Sequence, residues 1–283
     1  GAAPRHPGRR HLQVHQAHGI ALLPVARGEG QALRGLQPRL YSIASSLEFV
    51  PGSGSTQPQN RWLGYEWTRT DGSRLVNPNR GTVQFWFKPN WNSQTNGIPE
   101  DGLTTTRRLV AIQTSADESE YWALQLNPGG TTATFSVLRR NDTAPQSQSW
   151  NVQFTRGSWS LVTLTYDSSG TSLWIDDRKL QPISPTPSLP SWPADFASPK
   201  RLWIGGGGNS AVNRTANGSF ENLATYSHIL PDAAIADEYR RTAAIDTDGD
   251  GLPDLMELRL LGFSPGSRDS DGDGLPDKWE FDN

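Results

Sequence analysis

Short runs in which apolar and polar residues alternate occupy the middle of the chain, separated by Gly, Pro, Asn and Asp. In one such run Val83, Phe85 and Phe87 lie on one face of an extended chain. Trp86 and Lys88 lie on the other face, which we expect to be a half-solvated sheet surface. A period of two predicts β-strands with one buried face. The predicted strands include residues 46–50, 82–88, 108–114, 121–127, 132–139, 159–166, 172–175, 201–205 and 219–226.

These strands predict the fold class. About ten of them, with no helical pattern of ten residues between them, indicate an all-β fold in which two antiparallel sheets form a sandwich. The 28 Gly and 21 Pro residues imply many turns and argue against a helix bundle. Residues 90–106 and 181–200 form long connections, and we expect such loops to hold a binding surface.

Charge divides the 283 residues into three parts. The formal net charge is −3, but residues 1–46 carry six Arg and one acid, whereas residues 245–283 carry eleven acids and three bases. We therefore predict a basic, disordered arm over residues 1–40, a neutral domain over residues 41–244 and an acidic tail over residues 245–283. An alternative for the arm is a secretion signal around the apolar residues 19–26.

The composition also excludes several classes of site and partner. There is no Cys, so disulfides, thiolate metal sites and thiol nucleophiles are absent from this sequence. No run of 18 apolar residues is present, and we expect no membrane span. The Arg residues of the arm are not interleaved with aromatic residues, so we expect no nucleic-acid partner.

Five motifs in the middle of the chain, the last in two parts, occur in a characteristic order. They occupy residues 81–89, 157–166, 172–180, 202–206, and 220–226 with 235–239. Together they resemble the laminin-G-like, concanavalin A-like lectin/glucanase jelly-roll domains of large secreted bacterial proteins. The resemblance implies a jelly-roll sandwich that binds glycans or proteins, or that acts as a spacer. The chain departs from the family at Asp177, where the hairpin turn usually has Gly, and we expect Asp to tolerate the positive φ there.

The acidic tail contains an internal repeat. Residues 246–257 and 269–280 share the pattern Asp-x-Asp-Gly-Asp-Gly-Leu-Pro-Asp-x-x-Glu, at an offset of 23 residues. Carboxylates at positions 1, 3, 5, 9 and 12, Gly at position 6 and a carbonyl at position 7 supply the oxygen ligands that Ca²⁺ requires. The predicted ligands are Asp246, Asp248, Asp250, the Leu252 carbonyl, Asp254 and Glu257, and Asp269, Asp271, Asp273, the Leu275 carbonyl, Asp277 and Glu280.

The tail pattern resembles the thrombospondin type-3-like, EF-hand-like calcium repeats of secreted bacterial proteins, and fits dockerin repeats less well. Pro253 and Pro276 occupy position 8, where a paired sensor loop would use a backbone N–H that Pro lacks. We therefore expect calcium to stiffen the chain rather than to signal. A short helix is predicted to leave the first loop, beginning at Asp254 and ending near Gly262.

No enzyme motif is present. The Glu-x-Asp-x-Glu strand of glucanases is missing, as are the common nucleophile and phosphate-binding motifs. We therefore predict a non-catalytic, extracellular or cell-surface module of a larger protein, which binds calcium and a carbohydrate or protein. A purely structural, calcium-stiffened spacer is the alternative, and a divergent glycoside hydrolase or lyase is a weaker one. Aromatic residues in turn-rich segments are the candidates for stacking on a sugar: Trp62, Trp67, Trp91 and Trp192.

Overall fold

The computed structural model of the chain describes residues 41–42, 47–49, 63–66, 74–94, 99, 101–113, 121–139, 142–184, 201–206, 214–257 and 263–282. The predictions for the arm at residues 1–40, and those for Trp62, Trp67 and Trp192, lie outside these residues.

One sheet of the described chain has seven strands. These strands are β1 (Tyr41–Ser42), β2 (Leu47–Phe49), β4 (Gly81–Pro89), β9 (Ser160–Asp167), β10 (Gly170–Ile175), β11 (Arg178–Lys179) and β13 (Gly218–Tyr226). The order β1-β13-β4-β9-β10-β11 runs across the sheet, and β2 pairs with β13 beside β1; all of these pairs are antiparallel.

The other described sheet has six antiparallel strands: β3 (Leu63–Glu66), β5 (Arg107–Gln113), β6 (Tyr121–Leu126), β7 (Thr132–Leu138), β8 (Gln146–Asn151) and β12 (Arg201–Ile204). They lie in the order β3-β12-β5-β6-β7-β8. Consecutive strands β5 to β8 form a meander, while β12 inserts between β3 and β5.

The hydrophobic core lies between the two sheets. Phe85 and Phe87 of β4 pack in one cluster with Trp122 and Phe135 of the six-stranded sheet. The ring centroids of Trp122 and Phe135 are 4.9 Å apart in an edge-to-face arrangement. The all-β, two-sheet jelly-roll sandwich predicted from the sequence is therefore confirmed.

Three helices follow β13 in the described residues: α1 (Asp232–Ala244), α2 (Asp254–Met256) and α3 (Asp277–Asp282). The alternation in the sequence did not predict α1. Ile235 of α1 is buried with Trp174 and Tyr226, so the helix covers the outer face of the seven-stranded sheet. The start of α2 at Asp254 agrees with the predicted exit helix, whereas Gly262 lies outside the described residues.

The hairpin turn between β10 and β11 corrects one expectation. Asp176, and not Asp177, has the positive φ, at 63°. Its backbone N–H donates to the Leu161 carbonyl at 2.7 Å, and its Oδ1 accepts from the Leu161 N–H at 3.0 Å. Two bonds to one neighbouring residue hold Asp176 in the left-handed region, which Asp tolerates better than most residues.

Candidate functional site

The first acidic loop, residues 246–257, is shaped by the carboxylate of its first residue. Asp246 Oδ1 accepts the backbone N–H of Gly249 at 2.8 Å, and Asp246 Oδ2 accepts that of Gly251 at 3.0 Å. Gly249 and Gly251 have φ angles of 70° and 97°, which favour glycine. The chain therefore curls round the Asp246 carboxylate.

The second acidic loop, residues 269–280, repeats these bonds at the offset of 23 residues. Asp269 Oδ1 accepts the N–H of Gly272 at 2.7 Å, and Asp269 Oδ2 accepts that of Gly274 at 2.8 Å. The two glycines have φ angles of 74° and 94°. Since both of these bonds have counterparts in the first loop, the repeat in the sequence is a repeat of structure.

The ninth residue of each loop braces the second residue. Asp254 accepts the Thr247 N–H at 2.7 Å and the Thr247 hydroxyl at 2.6 Å, one bond on each carboxylate oxygen. Asp277 likewise accepts the Ser270 N–H at 2.7 Å and the Ser270 hydroxyl at 2.6 Å. Both aspartates were predicted as ligands, and the structure adds this bracing role, which each oxygen fills with one of its lone pairs.

Three groups of carboxylates are close enough to share a cation in the described chain. In every group, one oxygen of each member lies within 4.8 Å of the others. Two groups lie within single loops, and the third joins residues of both loops. The groups are Asp246, Asp248 and Asp250; Asp269, Asp271 and Asp273; and Asp250, Glu257 and Asp277.

Among these acids, Glu257 has the pKa that is shifted furthest from its ordinary value. It is 0% exposed, and neither of its carboxylate oxygens has a hydrogen-bond partner among the described residues. Burial raises the pKa of Glu257 to about 7, with further contributions from the charges of Asp248, Asp250 and Asp254. The group therefore lacks the positive charge that would favour its ionised form.

Glu280 is the residue of the second loop that corresponds to Glu257, and its pKa is also raised. Partial burial and the charges of Asp271 and Asp273 raise the pKa of Glu280 above its ordinary value. Burial, together with Asp250 and Asp246, likewise raises the pKa of Asp248. The donor set is carboxylate oxygen throughout, which suits a hard cation such as Ca²⁺ and not a soft one.

The first loop also contacts the sandwich. Leu255 of α2 is buried in one cluster with Trp86, Trp159 and Leu161 on the outer face of the seven-stranded sheet, and Tyr239 of α1 packs against this cluster. A side chain of the first loop is therefore part of a hydrophobic cluster outside the main core. Leu255 therefore joins the first loop to the outer face of the sheet.

A groove of about 780 Å³ lies between the first loop and the edge of the sandwich. Its size falls within the range of small-molecule sites. Sequence reasoning missed this site, because its walls come from distant parts of the chain. The polar residues along it are Asn151, Gln153, Thr155, Ser158, Ser160, Asp176 and Arg178, and the apolar ones are Val152, Ile175, Leu180, Pro253, Leu255 and Met256.

Trp91 does not fit its predicted role in stacking on a sugar. Its ring is 1% exposed, its indole N–H donates to the Ala216 carbonyl at 2.9 Å, and the Arg107 guanidinium lies 4.3 Å from the ring centroid. A ring without an exposed face cannot stack on a ligand, so Trp91 is a core residue. Most of the other described Trp residues of the sandwich are buried too: Trp86, Trp122, Trp150, Trp159 and Trp174.

Arg107 connects Trp91 to a buried ion pair that the sequence did not indicate. Its guanidinium donates to both oxygens of Asp101 at 2.7 Å, and its side chain is 1% exposed. Asn217 donates to the same carboxylate. Partial burial raises the pKa of Asp101, but the bonds from Arg107 and Asn217 outweigh this effect and lower it below its usual value.

The described residues contain no helix with the length and hydropathy that crossing a bilayer requires.

Comparison with known sequences identifies the sandwich. The laminin G type 3 family model, which describes the concanavalin A-like lectin/glucanases superfamily, matches residues 64–236. No curated protein matches the chain.

Solved structures share the sandwich at low sequence identity. The CBM40 module of the Ruminococcus gnavus IT-sialidase, bound to alpha2,3 sialyllactose, has a TM-score of 0.51 and 13% identity, with 71% of this chain and 100% of that chain covered. The same module without a named ligand also has a TM-score of 0.51, with 12% identity and the same coverage. A leech intramolecular trans-sialidase has a TM-score of 0.51 and 14% identity, and the match covers 76% of this chain and 31% of that chain. These likenesses establish the fold.

Proposed function

Because this chain belongs to the concanavalin A-like lectin/glucanases superfamily, we propose that it is a non-catalytic, extracellular carbohydrate-binding module with a calcium-binding C-terminal tail. The proposal of carbohydrate binding is supported by the family match over the sandwich. The likeness of fold to a CBM40 module solved with sialyllactose adds to this support. Carbohydrate is accordingly the first ligand class to test.

The groove beside the first loop is the proposed glycan site within the described residues. Gln153 offers an amide, Ser158 a hydroxyl and Arg178 a guanidinium, and all three can exchange hydrogen bonds with sugar hydroxyls or a sugar carboxylate. Pro253 and Met256 supply apolar surface for the C–H face of a sugar ring. Trp62, Trp67 and Trp192 remain candidates for a separate aromatic contribution.

Calcium binding by the tail rests on Glu257. A fully buried carboxylate with two unpartnered oxygens, beside Asp248 and Asp250, is costly unless a cation joins it. In each loop, the proposed ligands are the residues predicted from positions 1, 3, 5, 7, 9 and 12. Extracellular loops of this kind bind Ca²⁺ at roughly 10⁻⁴–10⁻³ M, which suits a secreted protein.

A spacer is the second candidate function. It is favoured by the burial of Trp86, Trp91 and Trp174, since a lectin would be expected to present several Trp side chains on one rim. In this account, calcium only holds the tail against the sandwich through Leu255. The groove would then have no ligand.

The test is binding of the full chain to a glycan panel that includes sialyllactose, in millimolar calcium and in chelator. We expect saturable binding to one glycan class, reduced at least tenfold by Arg178→Ala and unchanged by Arg240→Ala, an exposed Arg of α1 outside the groove lining. Unchanged glycan after long incubation supports a non-catalytic role, and cleavage would overturn it. Absence of binding by a folded chain would favour the spacer.

The calcium part is tested separately by calorimetry. Glu257→Gln should weaken calcium binding at least tenfold, because it removes a charged ligand and keeps the side-chain shape. Asp142→Asn is the control, since Asp142 pairs with Arg139 in the sandwich. Equal effects of the two substitutions would refute the assignment.

A further inference from the structure

We propose that Asp277 of the second loop, together with Asp250 and Glu257 of the first, forms one calcium site shared by both loops. This inference rests on the proposed calcium binding and goes beyond it, since the sequence pattern assigns each carboxylate to its own loop. The consequence is that the two loops bind calcium as a coupled unit.

Geometry brings the three carboxylates together. One oxygen from each lies within 4.8 Å of the others. Ligand oxygens lie about 2.4 Å from Ca²⁺, so oxygens on opposite sides of one ion are about 4.8 Å apart. The spacing of the group is therefore within the range that a single ion requires.

Burial and missing partners indicate that the group needs a ligand. Glu257 and Asp277 are both 0% exposed, which removes water as an ordinary partner for their charges. Both oxygens of Glu257 and Oδ2 of Asp250 accept no hydrogen bond from the described residues. Unsatisfied buried carboxylates are rare, because burying a charge without a partner is unfavourable.

The nearby basic residue Arg268 is committed to a different contact. It donates from Nε to the Asp248 carbonyl at 2.6 Å and from a terminal nitrogen to the Gly249 carbonyl at 3.1 Å. These bonds hold the start of the second loop against the first loop. Arg268 thus joins the two loops, and the oxygens of Glu257 accept no hydrogen bond from it.

The bracing role of Asp277 provides the coupling. Its oxygens accept the Ser270 N–H at 2.7 Å and the Ser270 hydroxyl at 2.6 Å, and these bonds shape the second loop. An ion that fixes Asp277 in the shared site also fixes Ser270. Filling of the first loop should therefore increase the affinity of the second, and by linkage the reverse also holds.

The experiment isolates the first loop in the full chain. Asp269→Asn with Asp271→Asn removes two carboxylates of the second loop's own group and serves as the background for calcium calorimetry. In this background we expect Asp277→Asn to weaken the remaining site at least tenfold. Ser270→Ala removes the hydroxyl bond but keeps the carboxylate, and should change the affinity less than threefold.

The outcomes separate this inference from the proposed function. If the background binds calcium and Asp277→Asn leaves that affinity unchanged, the shared site is wrong while calcium binding by the first loop stands. If neither the wild type nor the background binds calcium, the proposed function fails as well. An affinity loss of equal size in Ser270→Ala would assign Asp277 a bracing role only.

A second measurement does not depend on the folding of Asp277→Asn. Calcium titration of the otherwise wild-type chain should show two ions binding cooperatively, with a Hill coefficient above one. Glu257→Gln should then lower the affinity of the second loop several-fold. Two independent sites, with the second loop unaffected by Glu257→Gln, would contradict the coupling.

Discussion

Arg268 donates a hydrogen bond from Nε to the backbone carbonyl of Asp248 over 2.6 Å, and so joins the two acidic loops across 20 residues of sequence. A second bond reaches the Gly249 carbonyl at 3.1 Å. At the corresponding position of the first loop the chain has Ile245, which is 48% exposed. The repeat is therefore asymmetric at this position, because the second loop has an Arg there and the first loop has an Ile.

Removal of this contact should loosen the tail. We predict that Arg268→Gln lowers the free energy of unfolding in calcium by about 1–2 kcal/mol, since two bonds from a charged donor are lost. Arg240→Ala is the control, because Arg240 makes an exposed pair with Asp237 and should change stability by less than about 0.5 kcal/mol. Urea unfolding measures both, and equal stability of the two variants would contradict the prediction.

Two leucines at position 7 of the loops form a matched pair. Leu252 is 1% exposed and Leu275 is 40% exposed. We predict that Leu252→Ala costs about 2–4 kcal/mol because it leaves a cavity, whereas Leu275→Ala stays within about 0.5 kcal/mol of the wild type. Thermal unfolding followed by Trp fluorescence reports both changes. Similar midpoints for the two variants would show that the loops do not differ in packing.

The part of the fold that could be predicted came mostly from local sequence patterns. Alternation located the strands with apolar inner faces, such as β4, in which Phe85 and Phe87 face the core. It missed β8, whose inward residues are Gln148 and Trp150, because a buried Gln interrupts the apolar pattern. It also treated Trp86 as a surface residue, whereas Trp86 is 7% exposed.

Sequence patterns failed where a feature depends on a contact between distant segments of the chain. Trp86 is covered by Tyr239 and Leu255, which belong to parts of the chain that the strand pattern does not describe. The loops themselves were predictable, since a twelve-residue pattern specifies their turns and carboxylates. The association of Asp277 with Glu257 was not, because spacing within one loop says nothing about the neighbouring loop.

Trp91 packs against a glycine that has no room for a side chain. Gly130 has a φ of 69°, and a Cβ there would overlap the Trp91 ring. Gly102 has nearly the same φ, 70°, but open space around it. We predict that Gly102→Ala costs about 1–2 kcal/mol from backbone strain, and that Gly130→Ala costs clearly more because overpacking adds to the strain. Denaturant unfolding distinguishes them, and equal costs would mean that the Trp91 ring can move aside.

The pair between Asp101 and Arg107 should make the sandwich sensitive to acid. Since the pKa of Asp101 is lowered in the folded state, its contribution is present at neutral pH and is lost as the pH falls from about 4 through the folded-state value. At pH 7 we predict that Asp101→Asn costs about 3 kcal/mol, because Arg107 remains buried without its charged partner. The more exposed pair of Arg139 and Asp142 provides the control, and Asp142→Asn should cost less than about 1 kcal/mol.

The pH dependence separates this electrostatic effect from a general loss of packing. The difference in unfolding free energy between the wild type and Asp101→Asn should shrink as the pH is lowered from 5 to 2, because protonation removes the charge that the substitution removes. Urea titrations at each pH, in chelator so that the calcium loops contribute equally, measure this difference. A difference that stays constant down to pH 2 would show that the cost of the substitution does not come from the loss of the carboxylate charge.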